Sequence, residues 1–120
     1  MPVQPKVCDL ATALGRLRGN CKLLQEMLDL FREDAPHFQQ ELRSAVDRGD
    51  GTSALQATHG LRGMLAYFSA EVALQVAERV EQLAVESDFA GARNAALELD
   101  VAIERFIAAL ATEIADLPVD

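Results

Sequence analysis

No stretch of this chain alternates apolar and polar residues over a useful length, and no Asn-Gly joins two such stretches. That excludes a fold built from β-hairpins. Tryptophan is absent, and β-branched residues apart from scattered Val and Ile are few. No apolar run approaches the roughly 18 residues that a membrane-spanning helix needs. The opening Met1-Pro2-Val3-Gln4-Pro5-Lys6 has no apolar core of the signal-peptide kind, so a cytoplasmic location is expected. Cys8 and Cys21 form no CxxC pair and read as reduced thiols. No His/Cys cluster has metal-ligand spacing. Lysine and arginine total 11 against 19 aspartate and glutamate, a net charge of −8, and the basic residues are scattered. A nucleic-acid binder needs a concentrated basic face, so nucleic acid is not an expected partner. The acidic excess reads as solvated surface. Asp29, Glu33 and Asp34 cluster locally, without a carboxylate pair that would suggest acid–base catalysis.

What remains is helical. Hydrophobic residues make up 50% of the 120, with Ala and Leu dominant, enough for one domain around one core. Asp9 is a good N-cap for a short helix from Leu10 to about Arg18, which Gly19 ends. Asn20 can cap a helix beginning near Cys21, with an apolar stripe of Leu24, Met27, Leu28, Phe31, Phe38, Leu42 and Val46. Pro36 should bend this helix near Arg32–Glu33 or split it, and Arg48-Gly49 ends it. Asp50-Gly51-Thr52-Ser53 reads as a tight turn with Thr52 as the capping candidate. The next helix runs from about Ser53 to Phe68. Ser69 is expected to cap a helix from Ala70 to about Glu86, with Glu71 in its first turn and a stripe of Val72, Val76, Val80 and Leu83. Ser87-Asp88 starts the last helix, to about Ala115, with an apolar face of Leu97, Val101, Phe106, Leu110 and Ile114. Short connections force antiparallel neighbours. The expected fold is therefore all-α: an antiparallel up-and-down four-helix bundle with an additional short N-terminal helix. Its expected division is a flexible N-terminal arm (1–8), the bundle (9–116) and a C-terminal tail (117–120).

One segment carries more than packing. Ala54, Thr58, Leu61, Leu65 and Phe68 step by 4, 3, 4 and 3, the spacing of a core stripe. With about 100° per residue, these fall between about 180° and 260° from His59. Within about 60° of His59 lie Leu55, Gln56, Arg62, Gly63 and Ala66, and Tyr67 lies about 80° away. The imidazole should project to solvent with a bare backbone one turn on. A helix-interior glycine costs about 1 kcal/mol relative to Ala, so Gly60 and Gly63 together give up roughly 2 kcal/mol. Gly63 lies on the side away from the stripe, where opening access to the histidine accounts for it. His37, after Pro36, has no such setting and reads as an ordinary surface residue.

The run Ala57-Thr58-His59-Gly60-Leu61-Arg62-Gly63 resembles the Ala-His-x-Leu-Lys-Gly motif of histidine-containing phosphotransfer (HPt) domains. Asp9 to Leu14 is similar to the family's short first helix, and Leu28-Asp29-Leu30-Phe31 through Ala35-Pro36 to its second. Leu42 to Asp50 and Glu78 to Asp88 are similar to the stretches before and after the motif. The likeness covers about residues 8 to 115. It implies that His59 accepts a phosphoryl group from an aspartyl phosphate on a receiver domain and passes it to another receiver. It also implies a phosphocarrier with no kinase or phosphatase site of its own. No cofactor is then expected on this chain; Mg²⁺ belongs to the partner. Partners would be response-regulator receiver domains or a hybrid sensor histidine kinase, and the chain would be monomeric, either free-standing or the cytoplasmic domain of a larger kinase. The family's usual lysine is replaced by Arg62, and its usual glycine ten residues after the histidine by Ser69.

The chemistry suits these residues. A phosphoryl acceptor needs an unprotonated nitrogen near neutral pH, and histidine's ordinary pKa of about 6.5 provides it. Arg62, one turn along, is expected to support the phosphoryl charge. Leu55, Gln56, Gly63, Ala66 and Tyr67 are the expected receiver-docking residues. An alternative is an inactive HPt-like helical adaptor that docks receivers without phosphotransfer. An enzyme of another class would need a small-molecule pocket that nothing in the sequence asks for.

Overall fold

The computed structural model describes residues 4–117, and these hold five α-helices: α1 (Leu10–Arg16), α2 (Cys21–Asp47), α3 (Gly51–Tyr67), α4 (Glu71–Val85) and α5 (Phe89–Ala115). Among the described residues there is no strand. Met1–Val3 of the expected arm and Pro118–Asp120 of the expected tail lie outside this range.

The helix starts are set by side chains that satisfy otherwise orphaned backbone donors. Asp9 accepts from the Thr12 N–H at 3.1 Å, Asn20 from Leu23 at 3.0 Å, and Asp88 from Gly91 at 2.9 Å. At α3 the cap is Asp50, not the expected Thr52. Asp50 accepts from the Ser53 N–H at 3.1 Å and from the Ser53 hydroxyl at 2.7 Å. These bonds, with Arg48 beside them, hold its carboxyl below the usual carboxylate range. Helix α3 therefore starts earlier than Ser53, because Asp reaches the first free N–H groups from one turn back.

The ends of α1 to α4 share one device. Arg18, Gly49, Ser69 and Ser87 all take positive φ, at 54°, 68°, 54° and 59°. The next residue then donates its N–H back over the helix end: Gly19 to Leu14, Asp50 to Ala45, Ala70 to Leu65 and Asp88 to Leu83, at 2.8 to 3.0 Å. This is the Schellman closure. It corrects the reading of Ser69, which ends α3 in the left-handed region instead of capping α4. The cap position of α4 falls to Ala70, which makes no side-chain cap bond.

Helix α2 runs unbroken from Cys21 to Asp47 through Pro36, so the expected split does not occur. Pro36 supplies no N–H to the Arg32 carbonyl. Both residues are exposed, however, and water can take the missing donor's place.

Helices α2 to α5 close a ring: α2 packs on α3, α3 on α4, α4 on α5 and α5 on α2, while α1 leans on α2 and α5. Paired positions run in opposite directions. The end of α2 meets the start of α5 (Arg93–Asp47, 2.9 Å), and Arg43 further back meets Asp100 further on (3.1 Å). The start of α3 lies beside the end of α4, since a Cβ on Gly51 would stand 3.6 Å from the Ala84 carbonyl oxygen. The core is built on three phenylalanines. Phe31 sits edge-on to Phe68 (5.7 Å) and to Phe106 (5.6 Å), and Phe68 and Phe106 are 5.4 Å apart.

The expected stripes of α4 and α5 hold only in part: Val80, Phe106 and Leu110 are buried as expected, and the other inward positions differ. In α4 the fully buried set is Ala73, Ala77, Val80 and Ala84, with Val72, Val76 and Leu83 half-buried beside it. In α5 it is Ala92, Ala95, Leu99, Ala102, Ile103, Phe106 and Leu110. Leu97 and Val101, expected on the apolar face, are 56% and 47% exposed. Alanines take the contact lines because they let neighbouring backbones approach closely.

From Lys6 onward the segment expected as a flexible arm is tied to the bundle. The Lys6 N–H donates to Glu71 Oε2 (2.8 Å), and the Val72 N–H to the Lys6 carbonyl (3.0 Å). The Cys8 thiol faces Glu113 Oε2 at 3.3 Å, and burial, then this carboxylate, push its pKa up to about 12. Arg16 donates to the carbonyls of Ala66 (3.1 Å) and Tyr67 at the end of α3.

Candidate functional site

His59 stands exposed near the middle of α3. Its orientation follows from the stripe behind it: Ala54, Thr58, Leu61, Leu65 and Phe68 are all buried. Thr58, the polar member, donates its hydroxyl to the Ala54 carbonyl at 2.7 Å and so enters the core without a free polar group.

The two glycines beside His59 serve different ends. At Gly63 an added Cβ would meet nothing within 4 Å, so that position is open to a visitor. At Gly60 an added Cβ would lie 2.5 Å from Phe38 Cε1. Gly60 lies tight against Phe38 of α2, whereas the space at Gly63 is open.

Around the imidazole, Gln56 and Ala66 are exposed, and Leu55 and Tyr67 half-buried. The Tyr67 ring is edge-on to Phe68, with centroids 5.7 Å apart and planes at 85°. The structure thus brings Leu55, Gln56, Gly63, Ala66 and Tyr67 onto the side of α3 that carries His59. One of these residues, Gln56, also borders a groove that the sequence did not reveal. Gln56 and Ser53 share a groove with His37, Gln40, Glu41 and Ser44 of α2 and with Arg48 at its end. The periodicity of α2 shows these residues to be outward-facing, but not that they border α3.

Arg62, the residue expected to support the phosphoryl charge, has partners on α4. Its guanidinium is not free beside His59 but turned to α4. Nη1 donates to both carboxylate oxygens of Glu81, at 2.9 and 3.1 Å, and Nη2 lies 3.9 Å from Glu78. Its Nε is buried with no hydrogen-bond partner among the described residues. Glu78 and Glu81 sit one turn apart on α4. Their spacing was visible in the sequence, but the register of α4 on α3 that brings them to Arg62 was not.

Among the described residues no group of His, Cys, Asp and Glu is assembled to hold a metal, and no helix is long and apolar enough to cross a membrane. Other grooves lie elsewhere, one of them between α2 and α5, lined by Gln39, Arg43, Val46, Leu97 and Asp100 among others.

Residues 26–117 match the family model described as "Hpt domain". The match takes in α3 to α5, most of α2, and His59, and leaves α1 outside. No curated protein and no solved structure matches the chain. Hpt domains serve histidine phosphotransfer in two-component systems as phosphocarriers, and their partners are the receiver domains of response regulators and hybrid kinases. With an exposed histidine on a helix of a four-helix bundle and a family match over most of its length, the chain belongs to the Hpt domain family.

Proposed function

We propose that His59 is the phosphoacceptor of a phosphorelay, taking its phosphoryl group from the aspartyl phosphate of one receiver and delivering it to another. The observation that carries this reading is the exposed imidazole of His59 beside the open space at Gly63. The lone pair of an unprotonated ring nitrogen attacks phosphorus. An N–P bond forms as the acyl O–P bond breaks, and the receiver's aspartate leaves as a carboxylate. The other ring nitrogen keeps its N–H. The same steps in reverse load the second receiver. Alignment and charge neutralisation dominate such transfers, and a rigid helix meets the first need. Mg²⁺ on the receiver would serve the second, so this chain needs no cofactor of its own.

The receiver would settle on Leu55, Gln56, Gly63, Ala66 and Tyr67, a mixed small and apolar patch suited to transient binding. Arg62 would support the phosphoryl charge once that charge draws it from Glu81. The chain would act as a monomer in the cytoplasm. The adaptor reading draws on the same Arg62–Glu81 pair, which leaves the supporting cation engaged elsewhere. Incubation with a phosphorylated receiver separates the two. The phosphocarrier gains acid-labile, alkali-stable phosphate, and His59→Gln abolishes it with the fold intact. Receiver binding without labelling of the wild type would establish the adaptor.

A further inference from the structure

We infer that Glu81 is a positioning residue that competes with the phosphoryl group on His59 for Arg62, and so sets how phosphate is shared between this chain and a receiver. The inference rests on the phosphocarrier reading and deepens it.

Arg62 stands three residues after His59, one turn along the same exposed side of α3, within side-chain reach of a group on that imidazole. In the unphosphorylated structure its charge is spent on α4. Glu81 receives a single nitrogen, Nη1, on both of its oxygens, instead of the parallel two-nitrogen fork that makes arginine–carboxylate pairs strong. Glu78 is only a loose second neighbour at 3.9 Å. The Nε–H is buried and unused. Guanidinium has five donors, and among the described residues only Nη1 is within hydrogen-bond distance of an acceptor. The pair is also partly open to water, with Arg62 and Glu81 side chains 36% and 21% exposed, so it is a weak strut between helices.

A phosphoryl group on His59 changes the competition. It brings close to two negative charges and three strong acceptor oxygens to the adjacent turn, where a carboxylate brings one charge and two oxygens. Arg62 gains by turning to it, and must first leave Glu81. The net stabilisation of phosphohistidine is therefore the Arg62–phosphoryl interaction less the Arg62–Glu81 interaction. Glu81 holds the phosphorylated state poised, so that the group can be passed on.

The test is a phosphate-distribution equilibrium. A receiver domain charged with acetyl phosphate, chosen because it labels the wild-type chain, is mixed with wild type, Glu81→Gln, Glu78→Gln, Arg62→Ala and the Arg62→Ala/Glu81→Gln double variant. Glu81→Gln should shift the distribution toward phosphohistidine by about three- to tenfold. Arg62→Ala should shift it the other way. In the Arg62→Ala background the Glu81→Gln effect should shrink to less than about twofold. Glu78→Gln removes the same charge without the close contact, and should have the smaller effect. A Glu81→Gln effect that persists in full without Arg62, or one equalled by Glu78→Gln, would show Glu81 acting as a bare charge and overturn the inference. No effect of Glu81→Gln would overturn it too, and would leave the phosphocarrier reading standing. A wild-type chain that no receiver labels would remove both.

Discussion

The ring of Phe38 occupies the space in which a side chain on Gly60 would stand, with Cε1 only 2.5 Å from the position a Cβ would take. Gly63, three residues on, faces nothing within 4 Å. The same substitution should therefore have opposite signs at the two sites. Gly63→Ala should stabilise the protein by up to about 1 kcal/mol through helix propensity. Gly60→Ala gains the same propensity but must displace Phe38, at an overpacking cost of about 1–3 kcal/mol, and should destabilise on balance. Denaturant melts of both variants check this, and equal effects would show that the packing at Gly60 does not matter. Gly63→Leu should weaken receiver docking, and unchanged transfer in that variant would count against the open position as an access route.

Ser69 and Ser87 hold left-handed backbone at helix ends where glycine adopts it freely. A non-glycine residue there carries a strain of roughly 1–2 kcal/mol, partly offset by the lower unfolded-state entropy that serine enjoys over glycine. Ser69→Gly and Ser87→Gly should each raise stability by about 0.5–1 kcal/mol. Thermal melts that show either variant less stable than wild type would remove the strain from the account.

The inward face of α5 makes a third prediction. Leu99 is fully buried, whereas Leu97 is 56% exposed. Leu99→Ala should cost about 2–5 kcal/mol. Leu97→Lys, the more drastic change in chemistry, should stay within about 0.5 kcal/mol of wild type. Chemical denaturation of the pair settles which stripe faces the core.

Those two leucines also mark where legibility ends. The helix order, the caps at Asp9, Asn20 and Asp88 and the outward side of α3 follow from local rules, so His59 and its immediate neighbours could be placed from residue spacing alone. The faces of α4 and α5 could be placed only in part, through Val80, Phe106 and Leu110. A stripe read by size favours Leu97, Val101, Val72 and Val76, but tight packing in the ring gives the inward lines to alanines such as Ala73, Ala77, Ala92 and Ala95. Ser69 shows a second gap. Serine suits an N-cap by propensity, and only the backbone shows it ending α3 instead. Arg62 shows a third, because its partner depends on how two helices register, a relation no local pattern encodes.

Cys8 and Cys21 should behave as different thiols. Cys21 is exposed, whereas Cys8 is half-buried beside Glu113 with its pKa pushed up to about 12. Because the thiolate is the nucleophile, iodoacetamide at pH 8 should modify Cys21 first, and Cys8 only on unfolding. The raised value also fixes a sign. The folded state keeps the Cys8 proton where the unfolded chain loses it, so this group's stabilisation is complete below the ordinary thiol pKa. It is lost as pH rises from there toward about 12. Cys8→Ala should flatten the alkaline fall in stability, and an unaltered alkaline limb would contradict the assignment.

The chain has two histidines, both exposed, and only His59 is expected to carry phosphate. The most direct measurement is site localisation of the phosphate by mass spectrometry at neutral to alkaline pH, after incubation with a phosphorylated receiver. All of the label should lie on His59, on the open side of α3, and none on His37 across the groove in α2. Phosphate on His37, or on an acidic side chain with His59 unmodified, would contradict the account at its centre.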